Sequence, residues 1–170
     1  MELIKIIFGN VRIYKLNSRS DNRGSLTYLY EENIPDFEIK ESRIYTIPKK
    51  GTFFGIHYRD ESDPMTKLIS VIKGCGLDYL IDLRKESTTY LKWEEIELSE
   101  ENKLAVLIPA GIGNAFLTTE DNTMQSFVIN KSGENGYSKK LNYTEKQIGL
   151  KLPIPITDIS DYDLNAPFLN

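Results

Sequence analysis

The chain has one histidine, one cysteine and one tryptophan among its 170 residues. A lone cysteine, Cys75, cannot close an intramolecular disulfide. One cysteine and one histidine also cannot supply the three or four nitrogen or sulfur ligands of a transition-metal site, so the expectation is a protein with no metal and no cofactor. No apolar run approaches the roughly 18 residues of a membrane span. The start, "MELIKIIFGN", lacks a small-residue cleavage site and alternates like a strand rather than a signal peptide. A cytoplasmic protein with no membrane partner is expected. Basic clusters are also missing: 21 Lys and Arg stand against 25 Asp and Glu, the net charge is −4, and no cationic run exceeds a Lys-Lys pair. That argues against a nucleic-acid partner, which needs a cationic face.

What is present is strand. "LIKIIF" (3–8), "SLTYLY" (25–30), "TKLISVI" (66–72), "LDYLIDL" (77–83) and "MQSFVI" (124–129) have period two and are rich in β-branched and aromatic residues. The turn signals "DNRG", "IPKKG", "KGCG", "IPAGIGN" and "NKSGENG" separate them. Strands at this spacing in a chain of single-domain length predict one all-β domain over 1–170, an antiparallel barrel or sandwich. One short helical turn is expected within "TEKQIGLKLPIP" before the prolines stop it, and the tail "ITDISDYDLNAPFLN" reads as acidic and irregular.

The single histidine, His57, lies in the aromatic run "GTFFGIHYRD". Its imidazole is the side chain whose unperturbed pKa lies nearest neutrality, so one residue can be the main proton carrier of a site. Period two from Lys67 places Ile69 and Val71 on the lysine's own face, which would partly desolvate its ammonium.

Taken in order, "DNRG" near 21, "GIHY" at 55, "KLISVIKG" at 67, "DYLIDLRKES" at 78, Trp93, "LSEEN" at 98, "IPAGIGNAF" at 108 and "ISDYDLNAP" at 159 resemble the dTDP-4-dehydrorhamnose 3,5-epimerase family of cupin-like sugar-nucleotide enzymes. The resemblance covers nearly the whole chain. It implies a cupin-like jelly-roll barrel, a homodimer with exchanged N-terminal strands, no metal, and a nucleotide-linked 4-keto-6-deoxysugar as substrate. By the same resemblance His57 is the catalytic base, Asp163 the carboxylate that orients and charges its ring, and Lys67 the cation near the sugar keto oxygen. A proton next to a ketone is too weakly acidic for imidazole unless the enolate is stabilised, so base and cation belong together.

Other positions depart from the family pattern. Phe127 stands where the family keeps the tyrosine that protonates the face opposite the histidine, and phenylalanine has no proton to give. Tyr137 or Tyr143, in the following loop, would be the substitute donor. Arg23 remains as the phosphate contact, but Phe54 replaces the arginine before "GLH". Ser42 and Ile44 stand for a glutamine and an asparagine, Leu26 and Tyr28 for the residues that hold thymine, and Asn114 for a histidine. Arg59, Lys49 or Lys50 would supply the missing cation. These departures favour an epimerase of one carbon or a ketoisomerase over the two-carbon reaction. The alternative is a lapsed cupin that binds a sugar nucleotide or a pathway enzyme without turnover.

Overall fold

The computed structural model describes residues 1–31, 34–131 and 138–169. Among them the elements in chain order are β1 (Glu2–Ile7), β2 (Val11–Lys15), β3 (Ser18–Asp21), β4 (Gly24–Thr27), β5 (Glu41–Ile47), β6 (Thr52–Tyr58), β7 (Lys67–Lys73), β8 (Cys75–Asp82), β9 (Trp93–Ser99), β10 (Leu104–Ile108), β11 (Ile112–Thr118), β12 (Thr123–Ile129), β13 (Lys139–Leu141), β14 (Asp158–Ile159) and the single helical turn α1 (Asp161–Leu164). One six-stranded antiparallel sheet runs β1-β2-β10-β7-β12-β5, and a second runs β13-β6-β11-β8-β9 with β14 parallel to β6. The two face each other as a cupin-like jelly roll. β3 and β4 form a separate two-stranded hairpin.

Register fixes which side chains face inward, because successive residues of a strand point to opposite faces. In the first sheet Ile13 pairs with Val106, Val106 with Ile69, and Ile69 with Phe127. These four meet Leu80, Ile96, Ile112 and Phe116 of the second sheet in one core between the sheets. Each fully buried side chain of this size contributes roughly 1.5–3 kcal/mol, so the paired inner faces hold the barrel shut. Both outer faces are also covered. Tyr14, Leu68 and Val128 pack under Ile34 and Phe37, while Phe53, Ile56, Tyr79 and Ile81 pack under Leu141, Ile148 and the chain that follows.

Two sequence expectations shift. Strand β4 ends at Thr27, short of the "SLTYLY" span. The helical turn lies in the tail, at Asp161–Leu164, and not within 144–155, because Ser160 is its N-cap and its hydroxyl accepts from the Asp163 amide. No helix among the described residues is long and apolar enough to cross a membrane.

The loop after β8 is anchored by a buried carboxylate. Asp82 accepts from Arg84 Nε at 2.8 Å and Nη2 at 2.7 Å, from Ser87 Oγ at 2.6 Å and from Thr89 Oγ1 at 2.5 Å. Burial alone would raise its pKa, but these hydrogen bonds outweigh burial and hold it well below the usual range. A carboxylate depressed in the folded state contributes stability that is present above the unfolded value of about 4 and is lost as pH falls. Asp82→Asn is expected to cost about 3 kcal/mol at pH 7 by stranding the Arg84 fork. The variant's acid denaturation limb should also be shallower than that of the wild type, which urea melts at stepped pH would measure.

Candidate active site

The site grows from an irregularity in β6. Asn114 pairs with His57 while Phe116 pairs with Phe54, so β6 carries one residue more than β11 over this span. A bulge of this kind turns two residues three apart to the same side. Phe54 packs against the inner core and Phe53 and Ile56 pack outside, while His57 shares the face of its strand partner Asn114, which bonds Lys67, and so turns to the space between the sheets, the chamber. His57 is 33% exposed, and its Nε2 lies 2.5 Å from Oδ1 of the buried Asp163. The carboxylate accepts a hydrogen bond from Nε2–H, which leaves the free lone pair on Nδ1.

Asp163 is held on every side. Ser160 Oγ donates to its Oδ2 at 3.0 Å and accepts from its amide at 3.1 Å. Burial works to raise its pKa, but the His57 hydrogen bond and charge, the Gly55 amide and Ser160 outweigh burial, so the group stays ionised below the usual carboxylate range. Gly55 is required by this approach, since a Cβ there would sit 2.9 Å from the Asp163 Cβ and Cγ.

Lys67 opens β7 on the inner face, beside Ile69 and Val71, and is buried. Its ammonium donates to Asn114 Oδ1 at 3.0 Å, the Asn114 amide donates to the buried Asp78, and the Phe127 ring centre lies 5.9 Å from Nζ. Burial pulls the Lys67 pKa down, with Asp78 opposing and Arg59 adding to the fall. Burial pushes Asp78 up against the opposition of Lys67 and Asn114. The chamber thus holds an imidazole backed by a carboxylate, and a desolvated ammonium. Such a set can take a proton from carbon and hold the resulting negative oxygen.

Arg59 lies two residues beyond His57, is only 8% exposed, pairs with Asp63, and has a buried Nε without a partner. The structure therefore keeps a second cation near the chamber. Lys49 and Lys50 sit in the exposed turn before β6, at the strand's other end. Phe54 and Phe127 pack against the inner core.

Other expected residues lie elsewhere. Ser42 pairs with Val128, whose side chain packs on the outer face, so Ser42 and the exposed Ile44 turn away from the chamber and Arg43 and Tyr45 take the inner side. Arg23, with its side chain 85% exposed, pairs with Asp21 at the hairpin tip. Tyr28 packs under Arg19 at the hairpin base. Tyr143 meets Phe53 edge-on on the outside of the second sheet and cannot reach the chamber. Tyr137 lies outside the described residues. Sequence reasoning missed Asp78 and Tyr45. For Asp78 a signal existed, since Asp78 and Asp82 share one face of a strand otherwise apolar, where a buried carboxylate needs a partner.

The barrel, with His57, Asp163 and Lys67 brought to its inner side, defines a cupin-like protein with a built polar site. The chain belongs to the dTDP-4-dehydrorhamnose 3,5-epimerase family, whose model matches residues 6–170. It is an enzyme of the sugar-nucleotide epimerase type. A dTDP-4-dehydrorhamnose 3,5-epimerase of Methanothermobacter thermautotrophicus is 32% identical over 119 residues, which are 68% of this chain and 64% of that protein. A dTDP-4-dehydro-6-deoxyglucose 3-epimerase of a Streptomyces species is 29% identical over 135 residues, 79% of this chain and 68% of that one. Among solved structures, ChmJ, a 3'-monoepimerase of Streptomyces bikiniensis in complex with dTDP-quinovose, aligns with TM-score 0.87 at 25% identity over 99% of this chain and 87% of its own.

Because His57 is the sole histidine, its ring N–H is directly assignable by ¹⁵N-histidine labelling. The Asp163 bond should give one downfield ring proton slow to exchange with water. Gly55→Ala is expected to remove that signal by pushing α1 off β6, and to lower turnover about 10²-fold as the base loses its orientation. A persisting signal would mean that the tail docks without the glycine.

Proposed function

We propose that this enzyme inverts one carbon next to the ketone of a nucleotide-linked 4-keto-6-deoxysugar. The observation that carries the reading is the 2.5 Å His57–Asp163 bond in the chamber that also holds the buried Lys67. His57 Nδ1 removes the proton, and Asp163 stabilises the imidazolium so formed. Lys67 holds the negative charge as it moves to the sugar's carbonyl oxygen. Asn114 and Asp78 keep the Lys67 side chain aimed. Arg59 offers its free Nε to the phosphates or to a sugar oxygen, and Phe54 gives an apolar wall.

Phe127 argues against inversion of two carbons, because it removes a hydroxyl from the sheet facing the base. The 3-epimerase among the relatives and the 3'-monoepimerase among the solved structures support inversion of one carbon over ketoisomerisation.

The same reading takes the protein as a homodimer. Leu3, Ile4 and Ile6 on the edge strand β1 and Leu26 on the hairpin are about half exposed, an apolar edge that pairing across a two-fold would cover. Arg23 and Tyr28, which make no contact with their own chamber among the described residues, would then serve the chamber of the second copy.

Incubation in D₂O with dTDP-4-keto-6-deoxyglucose should introduce deuterium next to the ketone, and His57→Gln should abolish that while leaving nucleotide-sugar binding within about threefold. Exchange at the wild-type rate in the variant would sink the role of His57. Binding without exchange in the wild type would sink the enzyme reading in favour of a binding module. In sedimentation, twice the 19.5 kDa chain mass is expected at micromolar concentration, and a monomer would overturn the dimer.

A further inference from the structure

Inversion of a carbon needs a proton taken from one face and another delivered to the opposite face, and Phe127 leaves the delivery without a donor at the position where the family keeps one. The neighbouring strand provides a phenol. Tyr45 lies on β5, the strand that pairs with β12, and on the same inner face as Phe127. Its ring meets Phe127 edge-on at 6.3 Å between centroids, and meets Phe54 of the opposite sheet at 5.4 Å. His57 stands on β6 three residues after Phe54, so Tyr45 and the base reach the chamber from facing sheets.

We infer that Tyr45 is the general acid of this enzyme, donating its hydroxyl proton to the enolate carbon on the face opposite His57. The inference rests on the reaction proposed above. The proton balance closes without a co-reactant. His57 takes the C–H proton, the C–H electron pair becomes the new C=C bond, and the C=O π pair moves onto the carbonyl oxygen, which Lys67 holds. The C=C pair then takes the Tyr45 proton, a C–H bond forms on the other face, and the ketone returns. Tyrosinate regains a proton from water, to which Tyr45 is 41% exposed, and the imidazolium returns its proton to water.

Arg43 lies two residues back from Tyr45 on the same strand face, its Nε donating to Glu41 Oε1 at 2.5 Å. Other tyrosines of the same protomer lie elsewhere: Tyr14 and Tyr30 pack in the outer cluster of the first sheet, and Tyr28 packs by Arg19 at the hairpin base. Tyr58, Tyr79 and Tyr143 belong to the outer cluster of the second sheet, and Tyr162 meets His57 edge-on at 5.8 Å, on the side of the base.

Tyr45→Phe keeps the ring contacts and removes only the hydroxyl, so the fold should hold. With dTDP-4-keto-6-deoxyglucose in D₂O, the variant is expected to keep the His57-dependent exchange while formation of inverted product falls about 10²-fold or more. Phe127→Tyr in the Tyr45→Phe background should restore inverted product, since it returns a phenol to the same wall from the adjacent strand. Inverted product at the wild-type rate in Tyr45→Phe would overturn the assignment, as would its loss in Tyr137→Phe with Tyr45→Phe unaffected. A wild type that shows neither exchange nor product would instead refute the proposed reaction, and with it the need for an acid.

Discussion

The structure turns on the absence of a side chain at position 55. With only hydrogen there, the carboxylate of Asp163 can lie against the backbone of β6 and reach His57 on the same strand. That approach docks α1, and β14 just before it adds to the edge of the same sheet. The tail between β13 and α1 then closes the outer face over Phe53, Ile56 and Tyr79. The contact that orients the His57 ring is thus also one of the contacts that complete the second sheet. A carboxylate and an imidazole drawn together in this way polarise each other, and low local dielectric strengthens the bond.

Opposite this pair the barrel tolerates two further buried charges because they are joined. Lys67 and Asp78 would each be costly alone, but Asn114 links them with one accepting oxygen and one donating amide. The arrangement leaves the ammonium anchored from behind with its remaining protons uncommitted to that bridge. Around it the walls are unusually apolar. Phe54 and Phe127 surround polar atoms that must exchange charge, which weakens competition from water and strengthens the field of Lys67.

Much of the barrel was legible in the sequence. Period-two runs marked β1, β7, β8 and β12, because each buries one face or both. His57 stood out by being alone, and Asp163 by the "SDYD" stretch late in the chain. The inner wall of β5 was not legible from the family resemblance, which pointed to Ser42 and Ile44. One residue of displacement exchanges the two faces of a strand. Counting back by twos from the buried Ile47 gives Tyr45, Arg43 and Glu41, the face that the register confirms. Tyr143 could not be placed at all from sequence, since its position depends on how the tail wraps Phe53. The helical turn was misplaced for a related reason. A four-residue turn has too short a pattern to read, and only its Ser160 cap marks it.

The His57–Asp163 bond joins residues 106 positions apart, from a central strand to a single turn near the chain end. Contacts of such span form late, because the intervening loop must close before they give any return. A short turn held by one cap and one bond is also the kind of element that opens locally while the sheets stay closed. On the proposed role of His57, competence for proton transfer is therefore set by a smaller equilibrium than the one that keeps the barrel folded. Under mild denaturant or warming the enzyme would fall silent while its sheet signal was still intact, so that activity gauges the docking of the tail and not the survival of the fold.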